Sequence, residues 1–181
     1  MRKLCMCALA AAATLSGLQA ATLQQLSLDQ MIQQSTLIVR GKARLSGGVL
    51  RGSIIYTHYQ IQVSETLKGT PSAVLDVAVL GGTSGNGMRQ NFAGAPSLTN
   101  GQEYVLFLWT SKTGLTQVIG LSQGLFATTL NSAGQMMVVR AASTERMLNA
   151  GGQPVVDSDI QMAISDLRTR VQTVLSGGGV K

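Results

Sequence analysis

Cysteine is almost missing from this chain: of 181 residues only Cys5 and Cys7 are cysteines, both inside the first seven positions. Histidine occurs once, at His58. One imidazole with no cysteine downstream leaves too few nitrogen and sulfur ligands for a structural zinc site. Aromatic residues make up 4% of the chain and no recognised nucleic-acid motif is present, so neither DNA nor RNA is an expected partner. Long apolar runs are also lacking. The one apolar stretch of note, Leu4 to Leu15, is about twelve residues, too short for a helix that must cross roughly 30 Å of hydrocarbon.

That stretch follows Arg2 and Lys3 and precedes Ser16-Gly17-Leu18-Gln19-Ala20, a run of small and polar residues before Ala21. The order of positive start, short apolar segment and small-residue cleavage site reads as a Sec-type signal peptide over residues 1–20. It implies an exported protein, periplasmic or extracellular, with no transmembrane anchor after processing. Leu4 and Met6, which precede the cysteines, do not form a lipobox. Cleavage removes both thiols, so a protein sent to an oxidising compartment would rest on its hydrophobic core without a disulfide. The remaining residues suffice for one β-rich domain over 21–175, with a flexible tail at 176–181. Loss of Arg2 and Lys3 lowers the formal net charge from +6 to +4. Arg40, Lys42, Arg44 and Arg51 are the densest basic group; alternate spacing places the first three on one strand face, read as solvated.

Ser27-Leu28-Asp29-Gln30 has the form of a capping box and predicts a short helix over residues 27–35, with Leu28, Met31 and Ile32 as its apolar stripe. The period then changes. Residues 36–43 are β-branched and partly alternating, and Gly47-Gly48 reads as a turn. Residues 54–64 alternate cleanly: Ile55, Thr57, Tyr59, Ile61 and Val63 on one face, Tyr56, His58, Gln60, Gln62 and Ser64 on the other. Further strands fit 74–80, 104–109 (apolar throughout, hence covered on both faces), 116–119, 124–130 and 135–140. Ser158-Asp159-Ile160-Gln161 reads as a second capping box, opening a helix whose seam is Ile160, Ile164, Leu167, Val171 and Val174. Strands in series between two helices predict a mainly β fold. The form expected is a small antiparallel, OB-like barrel or a sandwich, with a short N-terminal helix and a C-terminal amphipathic helix.

Chemistry-bearing patterns are few. Gly120-Leu121-Ser122-Gln123-Gly124 matches G-x-S-x-G, but a strand rather than a helix is expected after it. His58 precedes Ser122, against the chain order of that hydrolase class, so a glycine-flanked hairpin or bulge is the reading preferred. Asp157-Ser158-Asp159 lacks the glycine and distal glutamate of a calcium loop and is read as helix capping. The connection from Gly81 to Gly101 is glycine-rich and long for a structureless loop, a class usually functional or disordered. Its Arg89, Asn91 and Phe92, with Tyr56 and His58 on the polar face of residues 54–64, are the candidate binding residues. No catalytic residue, metal ligand or cofactor is assigned.

Ile38-Val39-Arg40-Gly41-Lys42, Glu65-Thr66-Leu67-Lys68-Gly69, Gly94-Ala95-Pro96 and Gly101-Gln102-Glu103-Tyr104-Val105-Leu106-Phe107-Leu108 resemble a group of exported bacterial proteins of uncharacterised function. The order of strands, with the Leu-Lys-Gly turn and the Gly-Gln-Glu-Tyr strand entry, also resembles the netrin-like module of metalloproteinase inhibitors, the TIMP-like, OB-type barrel pattern. That resemblance implies a barrel shape over about residues 36–130. Those inhibitors present a disulfide-linked N-terminal cysteine to the catalytic zinc, and a chain starting near Ala21 has none. The function expected is a non-catalytic binding or interaction module whose partner is an envelope or extracellular protein. The alternatives are a hydrolase using Ser122 or His58 and, on the resemblance alone, a metalloprotease-inhibitor-like protein.

Overall fold

A computed structural model describes residues 22–70 and 72–177; the expected signal peptide and residues 178–181 lie outside them. The elements in chain order are β1 Thr22–Gln24, α1 Leu28–Gln34, β2 Leu37–Arg51, β3 Ile54–Lys68, β4 Val74–Leu80, β5 Gly82–Thr83 and β6 Arg89–Gln90. There follow β7 Glu103–Thr110, β8 Thr116–Val118, β9 Leu125–Leu130, β10 Met136–Arg140, β11 Arg146–Leu148, β12 Pro154–Val155, β13 Ile160–Ala163 and α2 Ile164–Leu175. The fold is mainly β, as the patterning indicates.

One antiparallel sheet dominates, in the order β13-β10-β9-β7-β2-β3-β4, with β8 also paired to β7. Its two faces are both apolar and both covered, for different reasons. On one face Ile38, Val105, Phe107, Phe126 and Val138 meet Met31 and Ile32 of α1 and Ile164, Leu167, Val171 and Val174 of α2. The α2 seam is the one its spacing gives, apart from Ile160, which sits in β13. On the other face the sheet curls on itself: Val39, Ala43, Ile61, Val77, Tyr104, Leu106, Leu108 and Val118 form a second cluster, and β4 comes against β8. Among the described residues no hydrogen-bonded ladder joins β4 to β8, so the sheet is a curled, open one rather than a closed barrel. β7 lies between the clusters, and Tyr104 to Leu108 are all buried, as its unbroken apolar run requires.

The helices are pinned by local chemistry. The Ser27 hydroxyl accepts the Gln30 N–H at 3.2 Å and the Gln30 amide oxygen accepts the Ser27 N–H at 2.8 Å, completing the capping box. Lys68 of β3 donates to the carbonyls of Ile32 and Gln33 at 2.6 and 2.9 Å, where the helix leaves acceptors unpaired. Burial pushes that ammonium below the usual lysine range. Arg170 of α2 grips Asp29 of α1 with two bonds, and Arg168 grips Glu65 of β3 in the same forked way.

Three sequence expectations are corrected. Gly47-Gly48 is not a turn. β2 runs through it to Arg51, with a bulge between Leu45 and Gly47, and the chain reverses at Gly52 and Ser53. A Cβ on Gly48 would run into the Thr83 carbonyl, so glycine stands there to let β5 cross close over the sheet. Ser158-Asp159-Ile160-Gln161 does not cap a helix: Ile160 to Ala163 pair with β10, and α2 starts at Ile164 with no side-chain cap. Asp157 instead accepts from Arg140 and the Ser143 N–H, and Asp159 from the Ala142 N–H. The connection from Gly81 to Gly101 is not structureless either. It contains the β5–β6 hairpin, buries Leu98, and is tied by the Gln90 side chain to Ser53 and Ile55 and by Asn100 to Leu45.

Candidate functional site

β8 and β9 lie on the same side of β7 and are one strand with a piece ejected from it. The Ile119 N–H donates to the Phe107 carbonyl at 2.9 Å, the Phe107 N–H donates to the Gly124 carbonyl at 2.9 Å, and pairing resumes on both sides. Residues 120–123 are therefore excluded from the ladder opposite Phe107. The ejected turn is closed by bonds from the Gly124 N–H to Ile119 and from the Gln123 N–H to Gly120. It stands in left-handed backbone at two successive positions, Gly120 at φ 61° and Leu121 at φ 59°. Glycine takes that conformation freely, whereas leucine pays a steric cost for it. Leu121 is the only non-glycine residue with positive φ among the described residues, and strain of this kind concentrates at functional sites.

The turn sends its side chains three ways. Gln123 goes inward and is 1% exposed; its amide oxygen accepts the Leu26 N–H at 2.8 Å and its amide nitrogen donates to the Gln24 carbonyl at 2.9 Å. Those bonds, with the parallel pairing of β1 to β11, hold residues 22–26 as a strap between β11 and the ejected turn. Leu121 faces a cavity of about 450 Å³ lined by Leu23, Gln24, Leu26, Gln34, Trp109, Ile119 and the turn itself. Trp109, the single tryptophan, is 39% exposed and forms one wall. No lining residue carries a charge. Ser122 faces a different, smaller hollow of about 360 Å³ with Gly94, Ala95 and residues 141–145. No histidine lines that hollow. Gly94, at φ 75°, fits between the two sides: a Cβ there would come within 3.3 Å of Leu121 and 2.9 Å of Glu145.

The five residues singled out from the sequence do not converge. Tyr56 and His58 share one face of β3. The connection carrying Arg89, Asn91 and Phe92 crosses the opposite face, where the Thr57 hydroxyl donates to the Gly81 carbonyl at 2.7 Å and Gly82 abuts Thr57. None of the five lines the cavity beside Trp109. His58 is not a freely solvated side chain: Nδ1 lies 2.7 Å from Asp76 on β4, and Gln60 donates to the other Asp76 oxygen at 3.1 Å. The 81–101 connection does reach the ejected turn, through Gly94 and Ala95 rather than its polar residues.

Sequence reasoning missed Trp109, Leu121, Gln123, Leu23 and Leu26 as site residues. The only local signal was the glycine-flanked Gly120–Gly124 pattern, which the structure places in a bulge-like excursion followed by a strand. Comparison of the chain with protein-family models, curated proteins and solved structures returned no match.

Proposed function

We propose that this chain is an exported, non-catalytic binding module whose ligand places a neutral, apolar group against Trp109. The observation that carries the reading is the uncharged 450 Å³ cavity, held open by a strained turn and by the strap that Gln123 fastens. Ligand sites are typically concave, mostly apolar, preformed and of roughly 300–1,000 Å³, with few polar groups to set orientation. Here the amides of Gln24 and Gln34 are those groups. A small molecule and the side chain of an envelope partner would both satisfy that chemistry.

Titration with a neutral fluorescent naphthylamine, followed by energy transfer from the single tryptophan and by the dye's own emission, tests this. Saturable binding, weakened by Leu121→Asp or Trp109→Ala and unchanged by His58→Ala, is expected. Absence of saturable binding would remove the reading. The hydrolase alternative is separated by a fluorophosphonate label. Labelling lost in Ser122→Ala would replace a binding module with an enzyme.

A further inference from the structure

The end of the sheet farthest from α2's ion pairs has a charge pattern that the cavity does not use. Residues 41–64 and 77–102 contain no aspartate or glutamate, yet carry Lys42, Arg44, Arg51 and Arg89. The tract is bounded by Glu103, opposite Lys42, and by Asp76, opposite Gln60, so the carboxylate-free part is the hairpin end beyond them. All four are exposed, and none has a carboxylate within 4.0 Å among the described residues. By contrast Arg40, Arg140, Arg168 and Arg170 are engaged by carboxylates elsewhere. Lys112 and Arg146 are exposed and unpaired too among the described residues, but stand singly, without a second unpaired cation beside them in the sequence tract.

A second, independent feature falls in the same place. Leu45, Val49, Leu50 and Met88 are 57%, 49%, 40% and 47% exposed. Val49 and Leu50 flank the reversal on its two faces, Met88 stands on the β5–β6 hairpin, and Leu45 lies farther down β2 opposite Tyr59. The tip itself is well braced. Gln90 holds both Ser53 and Ile55, and Ser84 bridges Gly48. Exposed apolar groups clustered in this way mark interaction surfaces. Interleaved with unpaired cations, they match the headgroup boundary of an anionic bilayer, which accepts apolar side chains and attracts lysine and arginine together.

We propose that the tip of the β2–β3 hairpin, with the β5–β6 hairpin crossing it, docks peripherally on anionic lipid. This surface is separate from the cavity and does not depend on it. The attachment proposed is interfacial; among the described residues no helix is long and apolar enough to cross a membrane.

The test is hydrogen exchange of the full chain with vesicles of phosphatidylcholine, with and without phosphatidylglycerol. Arg2, Lys3 and the apolar run after them could retain the chain on vesicles unaided, so the readout is local protection rather than retention alone. Protection of residues 44–53 and 84–90 by anionic vesicles only, reversed by high salt, is expected. At about fivefold per cation, replacing Arg44, Arg51 and Arg89 by glutamine weakens that protection on the order of a hundredfold. Val49→Ser with Leu50→Ser should leave the salt-sensitive part and abolish what survives in moderate salt. Equal protection by both vesicle types, or none at the tip, overturns the proposal. So does protection by soluble polyphosphate but not by vesicles, since the surface would then serve a soluble polyanion. Should the triple variant fail to fold, the comparison of vesicle types on the unaltered chain decides alone.

Discussion

The buried carboxamide of Gln123 accepts the backbone N–H of Leu26 at 2.8 Å, joining residues 97 positions apart in the sequence. With the return bond to Gln24 it makes the ejected turn and the N-terminal strap one unit. Gln123→Leu keeps the volume and removes both bonds, leaving one donor and one acceptor half-buried. At roughly 1–3 kcal/mol for each group left unsatisfied, moderated here by partial access to water, the loss is about 2–3 kcal/mol. Urea unfolding measures it. Exchange of the Leu26 amide should accelerate while that of Phe107, in the central strand, follows global unfolding only. An unchanged Leu26 amide would contradict this account.

Arg140 and Asp157 form the deepest ion pair described, with side chains 6% and 2% exposed and a 2.9 Å bond. Asp157 also accepts the Ser143 N–H, and Arg140 donates to the Ser158 carbonyl, but the Arg140 Nε–H has no partner among the described residues. Truncating one member of such a pair strands the other charge. Asp157→Ala is therefore expected to cost about 3–5 kcal/mol, whereas Arg140→Met combined with Asp157→Leu recovers only part of the loss, since the Ser143 N–H and Ser158 carbonyl still lose their partners. Thermal denaturation of the single and double variants checks both halves.

Acid should destabilise the fold through two carboxylates. The forked bond from Arg168, aided by the charge of Arg40 and opposed by burial, holds Glu65 below the usual carboxylate range. Burial pushes Asp157 up, but the bonds from the Ser143 N–H and Arg140 outweigh it, and its pKa too is lowered. A group whose folded pKa lies below its unfolded one binds fewer protons when folded, so stability rises with pH across that interval. The contribution is whole above about pH 5 and is lost as pH falls through the folded values. Urea midpoints measured between pH 7 and pH 2 should fall on acidification, less steeply in Glu65→Gln. That variant and the unaltered chain should converge at the acid end.

The fold was legible wherever a single period governed a segment. The α2 seam and the unbroken apolar run in β7 specify one face and both faces, and burial obeys them. In β3, Ile55 and Ile61 of the apolar face are buried, while residues 56–60 are half-buried on either face. Glycine and the second capping box misled because their local meaning is overridden from a distance. Gly48 makes room for Thr83, and Asp157 serves Arg140 rather than a helix end. The cavity had no local signal at all. Its walls come from Leu23, Trp109 and Leu121, and only the ladder around Phe107 brings those positions together.

Leu121 and Gly120 offer the sharpest contrast, because adjacent left-handed residues should respond in opposite ways. Leucine at φ 59° carries a steric cost of about 1–2 kcal/mol. Leu121→Gly relieves it but gives up a partly buried side chain of comparable worth, so stability should change by less than about 1 kcal/mol. Gly120→Ala adds the same backbone cost and places a Cβ 2.8 Å from the Gln123 amide nitrogen, where it must displace the group that fastens the strap. A loss of about 2–3 kcal/mol follows, with faster exchange at Leu26. For the naphthylamine dye the expectation for Leu121→Gly is weaker binding at nearly unaltered thermal stability, since a wall of the cavity is removed while the ladder around Phe107 persists. Were Leu121→Gly to destabilise the chain as much as Gly120→Ala, leucine would be holding the fold together rather than shaping a site.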